Sequence, residues 1–132
     1  MASRLCLATL GAVVLTAASA ASPTPYLRTA GVQRGHVVAV FSLGELAPGH
    51  IRVATRPRTL PNGAFVTANV RLDEALRPTR VANGYRTRTR HTLTPGRYYV
   101  EVSGIVLGLD CTPLKPCRQD WSNVRRVVIP RP

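Results

Sequence analysis

Apolar and polar residues alternate with period two along much of this chain. The pattern is sharpest over residues 93–102, Leu-Thr-Pro-Gly-Arg-Tyr-Tyr-Val-Glu-Val. There the Pro95-Gly96 turn opens onto Tyr98, Val100 and Val102 on one face and Arg97, Tyr99 and Glu101 on the other. A strand with one apolar face belongs to an antiparallel sheet that packs on a single side. Residues 37–43 set Val37, Ala39, Phe41 and Leu43 against Val38, Val40 and Ser42. Residues 51–55 form a short strand, and 65–72 place Val66, Ala68, Val70 and Leu72 on the apolar face. Residues 85–93 alternate Arg86, Arg88 and Arg90 with Thr87, Thr89 and His91, and a final strand covers 122–129. Turn signals separate these runs at Pro48-Gly49, Pro57, Pro61, Asn62-Gly63, Pro78 and Asn83-Gly84. Residues 73–84 read as irregular, with a brief helical turn.

No helical period is sustained. Six strands, with a seventh available at the N-terminal edge, predict an all-β antiparallel sandwich. The expected core is Val38, Val40, Ile51, Val53, Val66, Val70, Tyr98, Val100, Val102 and Trp121. The two faces of the 37–43 strand are almost equally apolar, so its register is the weakest point of the pattern.

The first twenty residues stand apart. Met1–Arg4 is a short basic segment, Leu5–Leu15 is apolar, and Ala18-Ser19-Ala20 offers the small residues that signal peptidase requires. The apolar stretch is too short to span a bilayer, which takes about 20 residues. The expectation is an exported protein cleaved after Ala20, with no transmembrane segment in the mature chain. Removing residues 1–20 of 132 leaves 112, the size of one domain. Residues 21–35, rich in Pro, Ala and Thr, read as a flexible lead-in that can add an edge strand, and 36–132 as the domain. The two remaining cysteines, Cys111 and Cys117, are expected to form a disulfide. Closing so short a loop contributes about 2 kcal/mol by chain entropy. A metal pair would need further ligands, and no His or Cys cluster accompanies them.

Residues 93–102 and 121–129 together resemble a known family. Leu93-x-Pro95-Gly96 followed by Tyr98-Tyr99-Val100-x-Val102 resembles the E–F corner and F strand of fibronectin type III domains. Trp121-Ser122-Asn123-Val124 leading into Arg126–Ile129 is similar to the start of their G strand, a pairing seen in bacterial exported versions. The resemblance covers about residues 36–130. It implies an immunoglobulin-like, fibronectin type III-like sandwich of about seven strands with a tyrosine corner, whose hydroxyl bonds upstream backbone. The family spacing points to Tyr99 as the corner residue, whereas alternation favours Tyr98. The usual early-strand tryptophan is missing, since Trp121 is the only one, and the 104–120 loop is long.

Charge and candidate chemistry narrow the function to binding or structure. The chain carries 18 Lys and Arg against 6 Asp and Glu, a net charge of +12. Arg86, Arg88 and Arg90 share one strand face at spacings of about 7 Å, a row able to track an anionic polymer. All but one of the basic residues are Arg, a skew that GC-rich codon usage alone produces, and exposed Arg also protects sheet edges. Aromatics are few and no nucleic-acid motif is present, so nucleic acid is not the expected partner. The disulfide loop, with Lys115 at its tip, reads as a recognition loop or as a simple tether. Pro116 opposes a protease-bait role for Lys115. Trp121 reads as a cap on the core or as a stacking platform.

His36, His50 and His91 are dispersed, Asp73 and Glu74 face opposite ways when extended, and no serine lies in a nucleophile elbow. Glycine-rich phosphate loops are absent. The reading is therefore non-enzymatic, without cofactor or metal. The expected partner is a protein or an anionic cell-envelope polymer.

Overall fold

Arg34 and Gly35 both hold positive φ, 50° and 82°, the hand of two-residue turn that matches the twist of the strands it joins. They link β1 (Tyr26–Gln33) to β2 (His36–Ser42), with Gln33 opposite His36. The remaining strands are β3 (Ala47–Ala54), β4 (Val70–Ala75), β5 (Thr79–Val81), β6 (Gly84–Arg88), β7 (Gly96–Ile105), β8 (Gln119–Trp121) and β9 (Arg125–Ile129). This computed structural model describes residues 24–108, 111–112 and 114–132, so the expected leader at 1–20 lies outside the described residues.

The strands form an all-β sandwich of two antiparallel sheets. One has the order β1-β2-β6-β5. The other runs β4-β3-β7, with β8 and β9 both pairing the far side of β7. The core between them joins Leu27, Val37, Ala39, Phe41 and Leu43 to Ile51, Val53, Leu72, Val100, Val102, Val127 and Ile129.

Several expectations need correction. The lead-in at 21–35 contains a full edge strand, β1, because Leu27 is buried against the core. On β2 the inward face carries Val37, Ala39 and Phe41, not Val38 and Val40. Phe41 decides this, since it is the largest side chain on the strand and stacks on Tyr85 with ring centroids 5.9 Å apart. The 65–72 run is not one strand. A 3-10 turn at Thr67–Asn69 breaks it, Val66 and Val70 are only half-buried, and Phe65 is the buried residue. The end of that run, residues 70–72, joins residues 73–75 of the segment read as irregular to form β4, with Leu72 and Glu74 facing in, and the same segment holds β5. The 85–93 strand stops at Arg88, the last strand starts at Arg125 instead of Ser122, and a separate short strand, β8, forms at Gln119–Trp121, at the end of the stretch read as a loop. Trp121 is half-buried on the outer face of its sheet and does not cap the core.

The two tyrosines are resolved in favour of Tyr98. It is buried, and its hydroxyl donates to the Thr94 carbonyl at 2.8 Å. Two further clamps close the sandwich. The Asn123 side chain accepts from Leu27 N–H at 2.7 Å and donates to Leu27 C=O at 3.0 Å, fastening β1 to the β8–β9 corner. On β4, the Glu74 carboxylate accepts the N–H groups of Arg90 (2.8 Å) and His91 (3.0 Å), which follow β6 in the opposite sheet. Burial alone would raise the Glu74 carboxyl. The two amides and the His91 ring at 2.9 Å outweigh it and hold the group below its ordinary value.

A group with a lowered folded pKa contributes stability above its unfolded pKa and loses it as pH falls through the folded value. Glu74→Gln is therefore expected to cost about 1–3 kcal/mol at neutral pH. Urea midpoints should show that deficit shrinking as the pH drops below 4.5, the ordinary value for this carboxyl.

Candidate functional site

Cross-strand register fixes the outer surface of the four-stranded sheet. Ala39 and Thr87 pair and are buried, so their neighbours face out: Val38 opposite Arg88 and Val40 opposite Arg86. Gly31 and Thr29 continue these rows on β1, and Thr79 on β5. The long arginine stems stand beside the half-exposed valines, which explains how an outward face tolerates Val38 and Val40.

The predicted row of three arginines is only partly assembled. Arg86 and Arg88 belong to it. Arg90 lies beyond the end of β6, where its main chain is held by Glu74. Arg34 from the β1–β2 turn takes its place, since Gln33, Arg34 and Arg88 line one shallow hollow. None of Arg34, Arg86 and Arg88 forms an ion pair among the described residues.

Acidic groups are distributed in the opposite sense. Four of the five described carboxylates, Asp73, Glu74, Glu101 and Asp120, lie on strands of the five-stranded sheet, and Glu45 lies in the β2–β3 turn. Three of those four are matched: Asp73 with Arg52 at 3.0 Å and His50 at 2.6 Å, Glu74 with His91 at 2.9 Å, Asp120 with Arg118 at 3.2 Å. β1, β2, β5 and β6 contain no Asp or Glu at all.

The outer face of the five-stranded sheet holds a second cluster. The Arg52 guanidinium sits 4.8 Å from the centre of the Trp121 ring while its Nε reaches Asp73. Trp121 is thus a partner of Arg52, at the side of a hollow shared with Leu60, Asn62 and Gln119. Opposite Arg52 in register is Glu101, 0 % exposed beneath the loop that carries Ala64 and Phe65. Its Oε2 accepts the Phe65 N–H at 2.8 Å, and its Oε1 has no partner. Burial pushes the Glu101 carboxyl up to about 7, against the opposing pull of that N–H and of the Arg52 charge. Alternation had placed Glu101 on a polar, solvent-facing side. The loop over residues 55–69 reverses that, and only the Phe at 65 hinted that something would cover this face.

The third location is the disulfide loop. Cys111 and Cys117 are bonded, and between them Thr112 and Lys115 exchange backbone hydrogen bonds of 2.8 and 3.0 Å. Lys115 is exposed, as are Leu114 (97 %) and Leu107 (71 %). These two leucines escaped the sequence reading, which weighed the loop for its charge and prolines. Among the described residues no three His, Cys, Asp or Glu side chains gather as a metal site.

Comparison with protein-family models, curated proteins and solved structures finds no match. The surfaces themselves therefore carry the functional reasoning.

Glu101 supplies a direct check on the buried cluster. Its folded pKa is raised, so its favourable contribution is full below about 4.5 and is lost as pH rises toward about 7. The difference in unfolding free energy between wild type and Glu101→Gln, followed from pH 5 to 8, is expected to move steadily in favour of the variant. A pH-independent difference would contradict the buried, unpaired carboxyl.

Proposed function

We propose that the protein is an exported, non-catalytic binding module with a fibronectin type III-like sandwich, and that its four-stranded sheet adheres to an anionic polymer of the cell envelope. The observation that carries this reading is the segregation of charge. One sheet has no carboxylate on its strands and presents Arg34, Arg86 and Arg88 outward, while the other holds four of the five described carboxylates and pairs three of them with basic side chains. A surface of one sign concentrates polyanions and needs no specific pocket.

The family likeness has its own support. The layout β1-β2-β6-β5 against β4-β3-β7-β9 parallels the immunoglobulin arrangement of A-B-E-D facing C-F-G, and the Tyr98 hydroxyl bonding Thr94 parallels the tyrosine corner. Export is favoured by the basic–apolar–small pattern of residues 1–20 and by the Cys111–Cys117 bond, which persists in oxidising compartments. No helix among the described residues is long and apolar enough to cross a membrane.

The test is retention of the mature chain on purified cell walls bearing anionic polymer. Three surface charges, each worth a few tenths of a kcal/mol, correspond to roughly a five- to tenfold loss of affinity in low salt. Arg34→Gln/Arg86→Gln/Arg88→Gln is expected to show that loss together with a shallower dependence on salt. An unaltered salt profile would remove the adhesive role.

One observation favours a second reading, a protein partner held by the disulfide loop. Leu107 and Leu114 are large, apolar and exposed, Leu114 within the loop closed by the Cys111–Cys117 bond and Leu107 just before it, and stiffening of the loop lowers the ordering cost of binding. Leu107→Ser/Leu114→Ser is expected to abolish protein capture from envelope extract while leaving wall retention intact. Undiminished capture would exclude the loop.

A further inference from the structure

Strands β1 and β9 are outer strands of opposite sheets, and each is paired on one side only, β1 with β2 and β9 with β7. They are tied together at one end. There Asn123 Nδ2 and Arg125 Nε donate to the Leu27 carbonyl at 3.0 and 3.1 Å. Away from that tie a groove of about 840 Å³ opens between them, touching every residue of 30–32 and of 126–132, with Leu93 and Pro95 beside it. Side chains of successive strand residues point to opposite faces. A groove that meets every residue of a stretch therefore runs along the strand edge, where backbone N–H and C=O groups point.

The β1 edge can be specified further. Gln33 and His36 flank the two-residue turn as a hydrogen-bonded pair. Alternation then directs the backbone groups of Val32 and Ala30 away from β2 and toward the groove. Such groups are a template for an added strand. No proline or charged residue blunts the edge from Thr29 to Gln33, and a Cβ placed on Gly31 would meet nothing within 4 Å. The chemistry of the walls is equally one-sided. Arg34, Arg126 and Arg131 border the groove, no Asp or Glu side chain lines it, and Val128 at its β9 side is 57 % exposed.

We infer that the β1–β9 groove accepts an extended acidic peptide as an added strand, hydrogen-bonded to the backbone of Ala30 and Val32 and held by Arg34, Arg126 and Arg131. Alternating side chains of such a peptide meet the apolar wall and the arginines in turn. The site lies at the sandwich edge and shares Arg34 with the adhesive face, whereas Arg86 and Arg88 lie outside the groove.

The probe is a capped octapeptide of alternating Glu and Val, with the Lys-Val octapeptide as control, added to the isotope-labelled mature protein. Glu-Val is expected to bind below about 1 mM, to slow exchange of the Ala30 and Val32 amides about tenfold, and to be preferred over Lys-Val. Arg126→Glu/Arg131→Glu alters two exposed side chains, and a native amide spectrum checks its fold. It is expected to weaken Glu-Val binding about tenfold and to raise that of Lys-Val. Arg86→Gln/Arg88→Gln is expected to leave peptide binding unchanged, which separates this site from the adhesive face. Four results would overturn the inference: no binding at 1 mM, protection confined to other amides, equal binding of the two peptides, or concentration-dependent protection of Ala30 and Val32 without peptide. The last would identify a second copy of the chain as the occupant.

Discussion

Val100, Glu101, Val102 and Ser103 follow one another on β7, and all four are fully buried. A strand whose successive side chains point to opposite faces can be buried throughout only when both of its faces are covered. On the inner side the four-stranded sheet supplies Val37, Ala39 and Phe41. On the outer side the 55–69 loop brings Ala64 and Phe65 down onto the sheet. The polar members on that side are accommodated one by one. The Ser103 hydroxyl accepts the His50 N–H at 2.8 Å and donates to Gln119 at 2.6 Å, and Glu101 accepts from Phe65. β7 also provides the pairing surface for β3, β8 and β9, so the five-stranded sheet is assembled around it.

That arrangement explains where charge ends up. The covered sheet gathers the carboxylates, because its half-buried Arg52 and the main-chain amides packed against it need counter-groups. Arg52 is satisfied by Asp73 and the Trp121 ring, and the chain after β6 by Glu74. The other sheet sets Val38, Val40, Arg86 and Arg88 outward beside Thr29, Gly31 and Thr79, with no carboxylate on its strands. A strongly basic sequence thus gives one sheet without carboxylates and one in which Asp73, Glu74 and Asp120 are paired with basic partners. Surface arginines add little to folding stability, so their clustering on one side is better understood through what they can attract.

Much of the layered architecture was legible in the sequence, because it depends on period-two alternation and turn chemistry. β7, β3 and the disulfide follow from Tyr98-Val100-Val102, Ile51-Val53 and the close spacing of Cys111 and Cys117. Two kinds of feature were not legible. The face of β2 could not be chosen by alternation, since Val38 and Val40 are as apolar as Val37 and Ala39, and only the packing of Phe41 on Tyr85 separates them. Long-range cover was equally hidden. Nothing local to Glu101 reports that Phe65, 36 residues away, will seal it from water. The arginine row failed at Arg90 for a related reason. Thr89 exchanges hydrogen bonds with Val37, and Glu74 then captures the following amides, so the strand ends at Arg88, two residues before Arg90, and Arg34 joins the surface instead.

Native-state hydrogen exchange of the oxidised mature chain probes the double burial of β7 most directly. Amides that open only with global unfolding exchange most slowly. The slowest are expected at Val100–Ser103 and at their partners Ile51 and Val53 on β3, with the short edge strand β5 far less protected. Amides of Val100–Ser103 exchanging as fast as those of Thr79–Val81 would contradict a sandwich organised around a strand sealed on both sides.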